Sequence, residues 1–248
     1  MAFDSMMQFR LSYLQLVSWA WEDDERYAAI VGEVNGYKYF DQLSLTLPTW
    51  NIKLKISDPT TKLAESGYAP AATGGWIGPR ARLTIQFPEQ PGDAAIPSAS
   101  AAYYALLPNP FGEAPPPDAG GASSGAGGHG MGHMSDAFVL GGVILRALTI
   151  SWKDPIFRAQ LVSGQPINGL LMDYIGYNLP WNMDLFGEVG TSVFTAAGQD
   201  DDLGNWGPVP RNTLEMFMPK KPLGNGADRA LALAAYNQTG DQYPLTCP

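Results

Sequence analysis

Cysteine and histidine are nearly absent from this sequence of 248 residues. Cys247 is the one cysteine, so an intrachain disulfide is excluded, which fits a reducing compartment. The two histidines, His129 and His133, lie in one glycine-rich stretch. With no Gly-x-Ser-x-Gly or P-loop motif and no histidine elsewhere to activate a nucleophile, the sequence predicts a protein that is not an enzyme and uses no cofactor.

Charged side chains are also scarce, at 16% of the residues, and the formal net charge is −9. Nucleic-acid binding through phosphate contacts needs clustered lysine and arginine, yet the only basic pair is Lys220-Lys221, so this class of partner is excluded. A surface with few charges leaves apolar area open to other proteins. The composition therefore favours a homo-oligomer or a longer polymer of this chain.

Long hydrophobic runs are missing as well. The longest, from Ala137 to Ile150, is interrupted by Arg146 and is too short to cross a bilayer. The first ten residues contain no basic segment followed by an apolar run, which predicts no secretory signal and synthesis in the cytoplasm. Export by an unconventional route stays open.

Glycine and proline are abundant, with 28 and 21 residues, and they concentrate in the stretch 113–133. Such a segment has little to bury and much backbone entropy to lose, so we interpret it as a linker. Within it and just after it, His129, Met131, His133 and Met134 offer imidazole and thioether ligands for Cu(I) or a related metal. A solvated linker without metal is the favoured alternative, because ordering glycine-spaced ligands costs entropy.

The segments on either side of this linker resemble each other. Adding 131 to a position in the first segment reaches the same residue type in the second at the following pairs: Leu14/Leu145, Trp21/Trp152, Asp23/Asp154, Ala28/Ala159, Val31/Val162, Trp50/Trp181, Asn51/Asn182, Leu54/Leu185, Arg80/Arg211, Leu83/Leu214 and Pro88/Pro219. The sequence thus predicts two copies of one module, residues 1–112 and 134–248, joined by the linker 113–133. Each copy is long enough to bury a core.

Both modules have the same predicted order of elements. A helical pattern over residues 5–31 is interrupted at Asp23 to Glu25, and in the second module Asp154 before Pro155 marks the same break as a helix N-cap. Alternating apolar residues predict a strand over 43–56, equivalent to one around 179–185, and a second strand over 82–87 or 214–218. Helices over 98–107 and 227–237 close the modules. We therefore predict an α+β fold in which each module is helix, helix, strand, strand, helix with a small antiparallel sheet.

Six tryptophans recur at equivalent places in the two modules. We predict that they anchor the module cores, although aromatic side chains can also line a ligand site. They are Trp21, Trp50, Trp76, Trp152, Trp181 and Trp206.

Several strings of the sequence resemble a known bacterial family. They are Phe9 to Leu11 with Leu14, the Trp-x-Asp strings that begin at Trp21 and Trp152, Leu179 to Leu185, and Thr73 to Pro79. Together they resemble thiazole/oxazole-modified microcin (TOMM) bacteriocin precursors, with two paralogous units fused in tandem. The resemblance implies a ribosomal precursor whose leader binds a modifying cyclodehydratase and whose C-terminal cysteine, serine and threonine residues become azoles. Here the tail offers Thr239, Thr246 and Cys247, which makes Cys247 a possible modification site.

Three functions follow from these patterns. The first is a non-catalytic structural or interaction protein, an internally duplicated pseudo-dimer that assembles into an oligomer or filament. The second is the azole-containing precursor, with a modification enzyme as its partner. The third is a small-molecule or metal binder that uses the tryptophans or the His-Met stretch.

Overall fold

The computed structural model describes residues 5–46, 52–62, 66–69, 75–106, 131–196, 204–208 and 211–239. Its α-helices are α1 Ser5–Trp21, α2 Asp24–Val31, α3 Lys38–Gln42, α4 Ile96–Leu106, α5 Met131–Lys153, α6 Pro155–Leu161, α7 Asn168–Ile175 and α8 Gly226–Thr239. Its strands are β1 Ile52–Ser57, β2 Gly67–Ala69, β3 Gly75–Ile77, β4 Ala81–Phe87, β5 Met183–Val189, β6 Val193–Thr195, β7 Asn205–Gly207 and β8 Asn212–Phe217. The predicted α+β class is confirmed, and the order of elements in the first half recurs in the second.

The break after the first helix of each half occurs where the sequence predicts it. Asp23 precedes α2, and its carboxylate accepts a hydrogen bond from the backbone N–H of Glu25 at 2.9 Å. Asp154 precedes α6 and accepts from Ile156 and Phe157 at 2.8 and 3.1 Å. These bonds satisfy N–H groups that have no partner within a helix, so aspartate is the residue that starts each second helix.

The segment before β1 differs from its prediction. Residues 38–42 form the short helix α3, and the Leu45 N–H donates to the carbonyl of Phe40 at 2.9 Å. Leu43 and Leu45 therefore lie in a turn after a helix, and their alternation with polar residues does not reflect a strand. The equivalent helix α7 was also missed, and Trp181 lies in a bend two residues before β5.

The main sheet takes strands alternately from the two halves of the chain, in the order β1-β8-β4-β5. The outer pairs, β1 with β8 and β4 with β5, are parallel, and the central pair β4 with β8 is antiparallel. Strand β1 thus runs antiparallel to β4, as predicted for two strands of one module, but β8 of the other half lies between them. The antiparallel neighbours within a half are the short pairs β2-β3 and β6-β7.

The register of this sheet is unchanged when the two halves are exchanged. Leu83 lies opposite Leu214 at the centre of the β4-β8 pair, and these two positions differ by 131, the offset of the sequence repeat. The same shift converts the pairing of Ile52 with Asn212 into that of Met183 with Ala81. The duplication itself stays a prediction, and this matching register supports it.

One face of the sheet forms the floor of the hydrophobic core. Alternate residues of β4 are buried, and they join side chains of α1, α4, α5 and α8 in one cluster. That cluster contains residues of both halves, including Leu83 and Leu214, so the halves share a core. Burial of this face fixes the register, since a shift by one residue would turn its apolar side chains outward.

The outer edges of the sheet are occupied by hydrogen bonds from the same chain. On β1, the carbonyl of Leu54 accepts from the Gly36 N–H at 2.9 Å. On β5, the carbonyl of Leu185 accepts from the Ile167 N–H at 2.8 Å, and its N–H donates to the side chain of Asn168 at 2.8 Å. Because an unpaired edge is what recruits another strand, these bonds reduce the capacity of the sheet to grow by strand addition.

Candidate functional site

Two stacked tryptophan pairs lie at equivalent places in the two halves. The rings of Trp21 and Trp76 are 5.8 Å apart at an interplanar angle of 26°. Those of Trp152 and Trp206 are 6.2 Å apart at 25°. In each pair the first ring comes from the end of a long helix and the second from the centre of a three-residue strand, so the sequence repeat produces the same contact twice.

Trp76 and Trp206, which we call the inner tryptophans, are each hydrogen-bonded to a helix of the other half. The indole N–H of Trp76 donates to the carbonyl of Ala232 in α8 at 2.8 Å. The indole N–H of Trp206 donates to the carbonyl of Ala99 in α4 at the same distance. Buried tryptophan needs a partner for this donor, and here the partner always lies in the other half.

Trp21 and Trp152, the outer tryptophans, also donate hydrogen bonds to the other half. Trp21 donates to the carbonyl of Pro219 at 2.8 Å, and Trp152 donates to that of Pro88 at 3.2 Å. Each acceptor follows the final strand of the opposite half. The two clusters are therefore contacts between halves as well as parts of the core.

Four of the six predicted core anchors are brought together in these two stacked pairs. Trp76 and Trp206 are buried, and Trp21 is buried while Trp152 is partly buried. Trp181 is buried before β5, but its counterpart Trp50 lies outside the described residues. Tyr236 and Tyr103, from the closing helices, contact Trp76 and Trp206 edge to face at 5.6 and 6.2 Å. Trp76 and Trp206 thus each contact a tyrosine from the closing helix of the other half.

The residues considered for metal binding or modification lie outside what the structure describes in side-chain detail. His129 and Cys247 are beyond the described residues, and Met131, His133 and Met134 belong to the first turn of α5, whose side chains are not described. Within the described ranges, no three histidine, cysteine, aspartate or glutamate side chains gather as metal ligands do. No described helix has the length and hydropathy needed to span a bilayer.

The outer face of the main sheet carries charged side chains whose signs alternate across the four strands. Lys55 of β1 lies opposite Glu215 of β8, Glu215 lies opposite Arg82 of β4, and Arg82 lies opposite Asp184 of β5. We call these four residues the charge row. The sequence alone does not reveal the charge row, because alternation in a strand indicates which residues face outward but gives no information about the neighbouring strand.

Glu215 of the charge row is largely buried, with 14% of its side chain exposed. It pairs with the ammonium of Lys55 at 2.9 Å and accepts a hydrogen bond from Ser57 at 2.7 Å. Burial by itself raises the pKa of Glu215, but the hydrogen bonds from Lys55 and Ser57 outweigh burial and lower the pKa below its usual value. Glu215 is thus held as an anion in the middle of the sheet.

Arg82 is fixed on the same face by aromatic rings. Its guanidinium lies 4.9 Å from the ring centre of Phe186 and 5.9 Å from that of Phe217. A guanidinium over an aromatic face is attracted by the ring quadrupole. The positive charge at the centre of the sheet is therefore held by groups from β5 and β8, both in the second half.

Two buried tyrosines, Tyr103 and Tyr236, and two partly buried ones, Tyr27 and Tyr37, provide a test of the shared core at alkaline pH. Burial raises the pKa of Tyr37 to about 12 and also raises the pKa of Tyr27, Tyr103 and Tyr236 above the usual 10.0. Since their folded pKa exceeds the unfolded one, their contribution to stability is complete below about pH 10 and is lost as pH rises through the folded values. We expect these four phenols to ionise only as the protein unfolds.

Phenolate absorbance followed together with circular dichroism over the alkaline range measures this. The denatured protein is the control, and all of its tyrosines should titrate together near pH 10. Ionisation of every tyrosine while the circular dichroism signal is intact would contradict the burial described above.

Comparison with known proteins places the second half in a family context. A family model described as a ribosomal natural product of the two-chain TOMM family matches residues 137–244. The match runs from α5 into the C-terminal tail, and it confirms the resemblance to TOMM proteins for this half. The first half is not covered, so the fusion of two units stays a prediction. No curated protein and no solved structure matches the chain.

Proposed function

We propose that this chain is a non-catalytic interaction protein of the two-chain TOMM type in which one polypeptide supplies both units. The two halves bind each other within the chain, and together they form a pseudo-dimeric subunit. The observation that carries the proposal is the exchange of strands in the main sheet, in the order β1-β8-β4-β5. Among the described residues, neither half has two adjacent long strands of its own, and this is the arrangement that a pair of separate chains joined by a linker would give.

The contacts between halves have the character of an obligate interface. All three strand pairs of the main sheet cross between the halves, and four indole N–H groups donate across the same boundary. Interfaces of this kind resemble a domain core cut in two, and their separated parts rarely fold. We therefore expect neither half to be stable alone.

Cleavage of the folded chain between its halves tests this proposal. A protease site inserted in the glycine-rich stretch 119–130 lets the intact protein be cut after folding. We expect the two fragments to stay together in gel filtration with light scattering, and each fragment isolated in denaturant to fail to refold alone. Fragments that separate after cleavage and each keep a cooperative thermal transition would contradict the proposal.

Self-assembly of this subunit into a larger oligomer is the next step of the proposal. The occupied sheet edges disfavour growth by strand addition, so copies would meet through other surfaces. Leu223 is 98% exposed, and together with Leu231 of α8 and Tyr68 it lines a cavity of about 340 Å³. An exposed apolar patch of this kind favours protein contacts.

Light scattering of the intact chain at high concentration should give a mass above that of the monomer, and the Leu223→Lys substitution should lower this mass. A monomeric wild-type protein would contradict the assembly step.

Azole modification is a second candidate, and the family match favours it. A modifying enzyme would act on Thr239, Thr246 or Cys247, the heterocyclisable residues of the tail. Each azole removes one water and two hydrogens, a loss of about 20 Da. Intact-mass spectrometry of protein from its native host would show this loss, and Cys247→Ala should abolish it if Cys247 is the site. An unmodified mass would exclude this candidate.

A further inference from the structure

The charge row bears on which halves can pair. Its members come alternately from the two halves, and their charges alternate in sign. Lys55 and Arg82 come from the first half, and Glu215 and Asp184 come from the second. Each cation therefore lies opposite a carboxylate of the other half. The parallel row beside it contains Lys53, Thr213, Thr84 and Phe186, where the lysine faces a neutral threonine.

The symmetric register allows the alternative pairings to be written down. If two first halves paired in this register, Lys53 of one copy would lie opposite Arg82 of the other, in place of Thr213. Thr84 and Lys55 would complete that row, which then contains three cations and no carboxylate. Like charges opposite each other in a sheet are destabilising, and this repulsion would occur twice, once on each side of the central pair.

Two second halves would fail for a different reason. In the same register, Glu215 would lie opposite Thr213 and Phe186 of the other copy and would lose Lys55. Its side chain is only 14% exposed in the observed sheet, and a carboxylate that is buried without its cation is strongly unfavourable. Asp184 would likewise lie opposite Thr213 and lose Arg82.

We infer that the charge row selects the partner of each half: a first half accepts a second half, from its own chain or from another copy, and rejects another first half. The centre of the buried face does not make this distinction, because Leu83 and Leu214 are chemically equal there. Apolar residues therefore supply the affinity of the interface, and the charges on the outer face supply its specificity. This inference rests on the proposed function, since it assumes that the halves behave as two partners.

Refolding of the cleaved protein tests the inference. The chain carrying the protease site in 119–130 is folded, cut, unfolded in urea and refolded as an equimolar mixture of its two fragments. Native mass spectrometry then counts the mixed pair and the two like pairs, which differ in mass. We expect the mixed pair to exceed the like pairs at least about tenfold, where pairing without preference would give equal amounts of mixed and like pairs.

Two substitutions change the preference in defined ways. Lys53→Glu faces neutral Thr213 in the mixed pair but would face Arg82 in a pair of first halves, so we expect it to leave the mixed pair intact and to raise the pair of first halves about tenfold or more. Lys53→Arg keeps the charge and should leave the wild-type distribution unchanged.

Glu215→Lys places a cation between Lys55 and Arg82 and should lower the fraction of the mixed pair. Adding Lys55→Glu to this variant should restore part of that fraction.

The outcomes separate the two proposals. Fragments that stay paired after cleavage but refold without preference, or a Lys53→Glu variant that gives no pair of first halves, would overturn this inference alone. Fragments that come apart on cleavage and fold singly would overturn the proposed function and the inference with it.

Discussion

Replacement of Trp206 by alanine is expected to lower the free energy of unfolding by about 3–5 kcal/mol, the range for removing a buried aromatic side chain. The indole stacks on Trp152, contacts Phe194 at 5.3 Å and meets Tyr103 edge to face. Its removal leaves a cavity and also removes the hydrogen bond from the indole to the carbonyl of Ala99. Since native proteins are stable by only about 5–15 kcal/mol, the variant should lose a large part of its stability.

The symmetry of the fold makes a second part of this prediction. Trp76→Ala removes the equivalent contacts, with Trp21, Tyr68 and Tyr236, so its loss should fall in the same range. Trp19→Ala is the control: this ring is only partly buried and contacts Tyr39 at 6.1 Å on the outside of the core, and its loss should be clearly smaller. Urea denaturation followed by circular dichroism measures all three variants, and a loss below 1 kcal/mol for either inner tryptophan would contradict the described packing.

Gly187→Ala is expected to destabilise the protein by about 3 kcal/mol, at the upper end of the usual cost of overpacking. A Cβ at this position of β5 would lie 2.2 Å from the carbonyl oxygen of Leu161 and 3.1 Å from the ring of Phe87. The first contact is with backbone at the end of α6, which cannot turn aside as a side chain can. The strand and the helix must therefore separate, and the pairing of β5 with β4 weakens.

Gly169→Ala in the neighbouring helix α7 is the matched control. Apart from its chain neighbours and the backbone of its own helix, no atom of the described residues lies within 4 Å of the Cβ that this change would add. Alanine also favours helix and restricts the unfolded chain, so the variant should be more stable by about 0.4–1 kcal/mol. Thermal unfolding of the two variants should thus shift in opposite directions, and a Gly187→Ala protein as stable as wild type would show that α6 and β5 are not in the contact described.

Local chemistry accounts for the part of the fold that the sequence predicts correctly. Asp23 and Asp154 identify the start of the second helices because an N-cap acts within three residues along the chain. The strands β4 and β8 follow from alternation, which reports one buried face directly. The short helices α3 and α7 were not predicted, since five to eight residues give too little of a 3.6-residue period, and α3 is also followed by alternating leucines.

Non-local pairing is what the sequence could not provide. Alternation in β1 and β4 shows that each has a buried face, and the same evidence is compatible with direct pairing or with an intervening strand. The insertion of β8 depends on contacts between the two halves, so no pattern within either half predicts it. The same holds for the site: the tryptophans were identified from the repeat, whereas Glu215 and Lys55 acquire their significance only once β1 and β8 are adjacent.

The position of β8 between β1 and β4 also has a consequence for synthesis. Strand β4 ends at Phe87 and β8 ends at Phe217, so the ribosome adds another 130 residues between completing β4 and completing its central neighbour. At about 5–20 residues per second, this takes roughly 7 to 26 seconds, during which the inner side chains of β1 and β4 in the nascent first half are uncovered. On a polysome, several such nascent chains stand close together during that time, and the repulsion between Lys53 and Arg82 would then keep neighbouring chains apart until each has made its own second half.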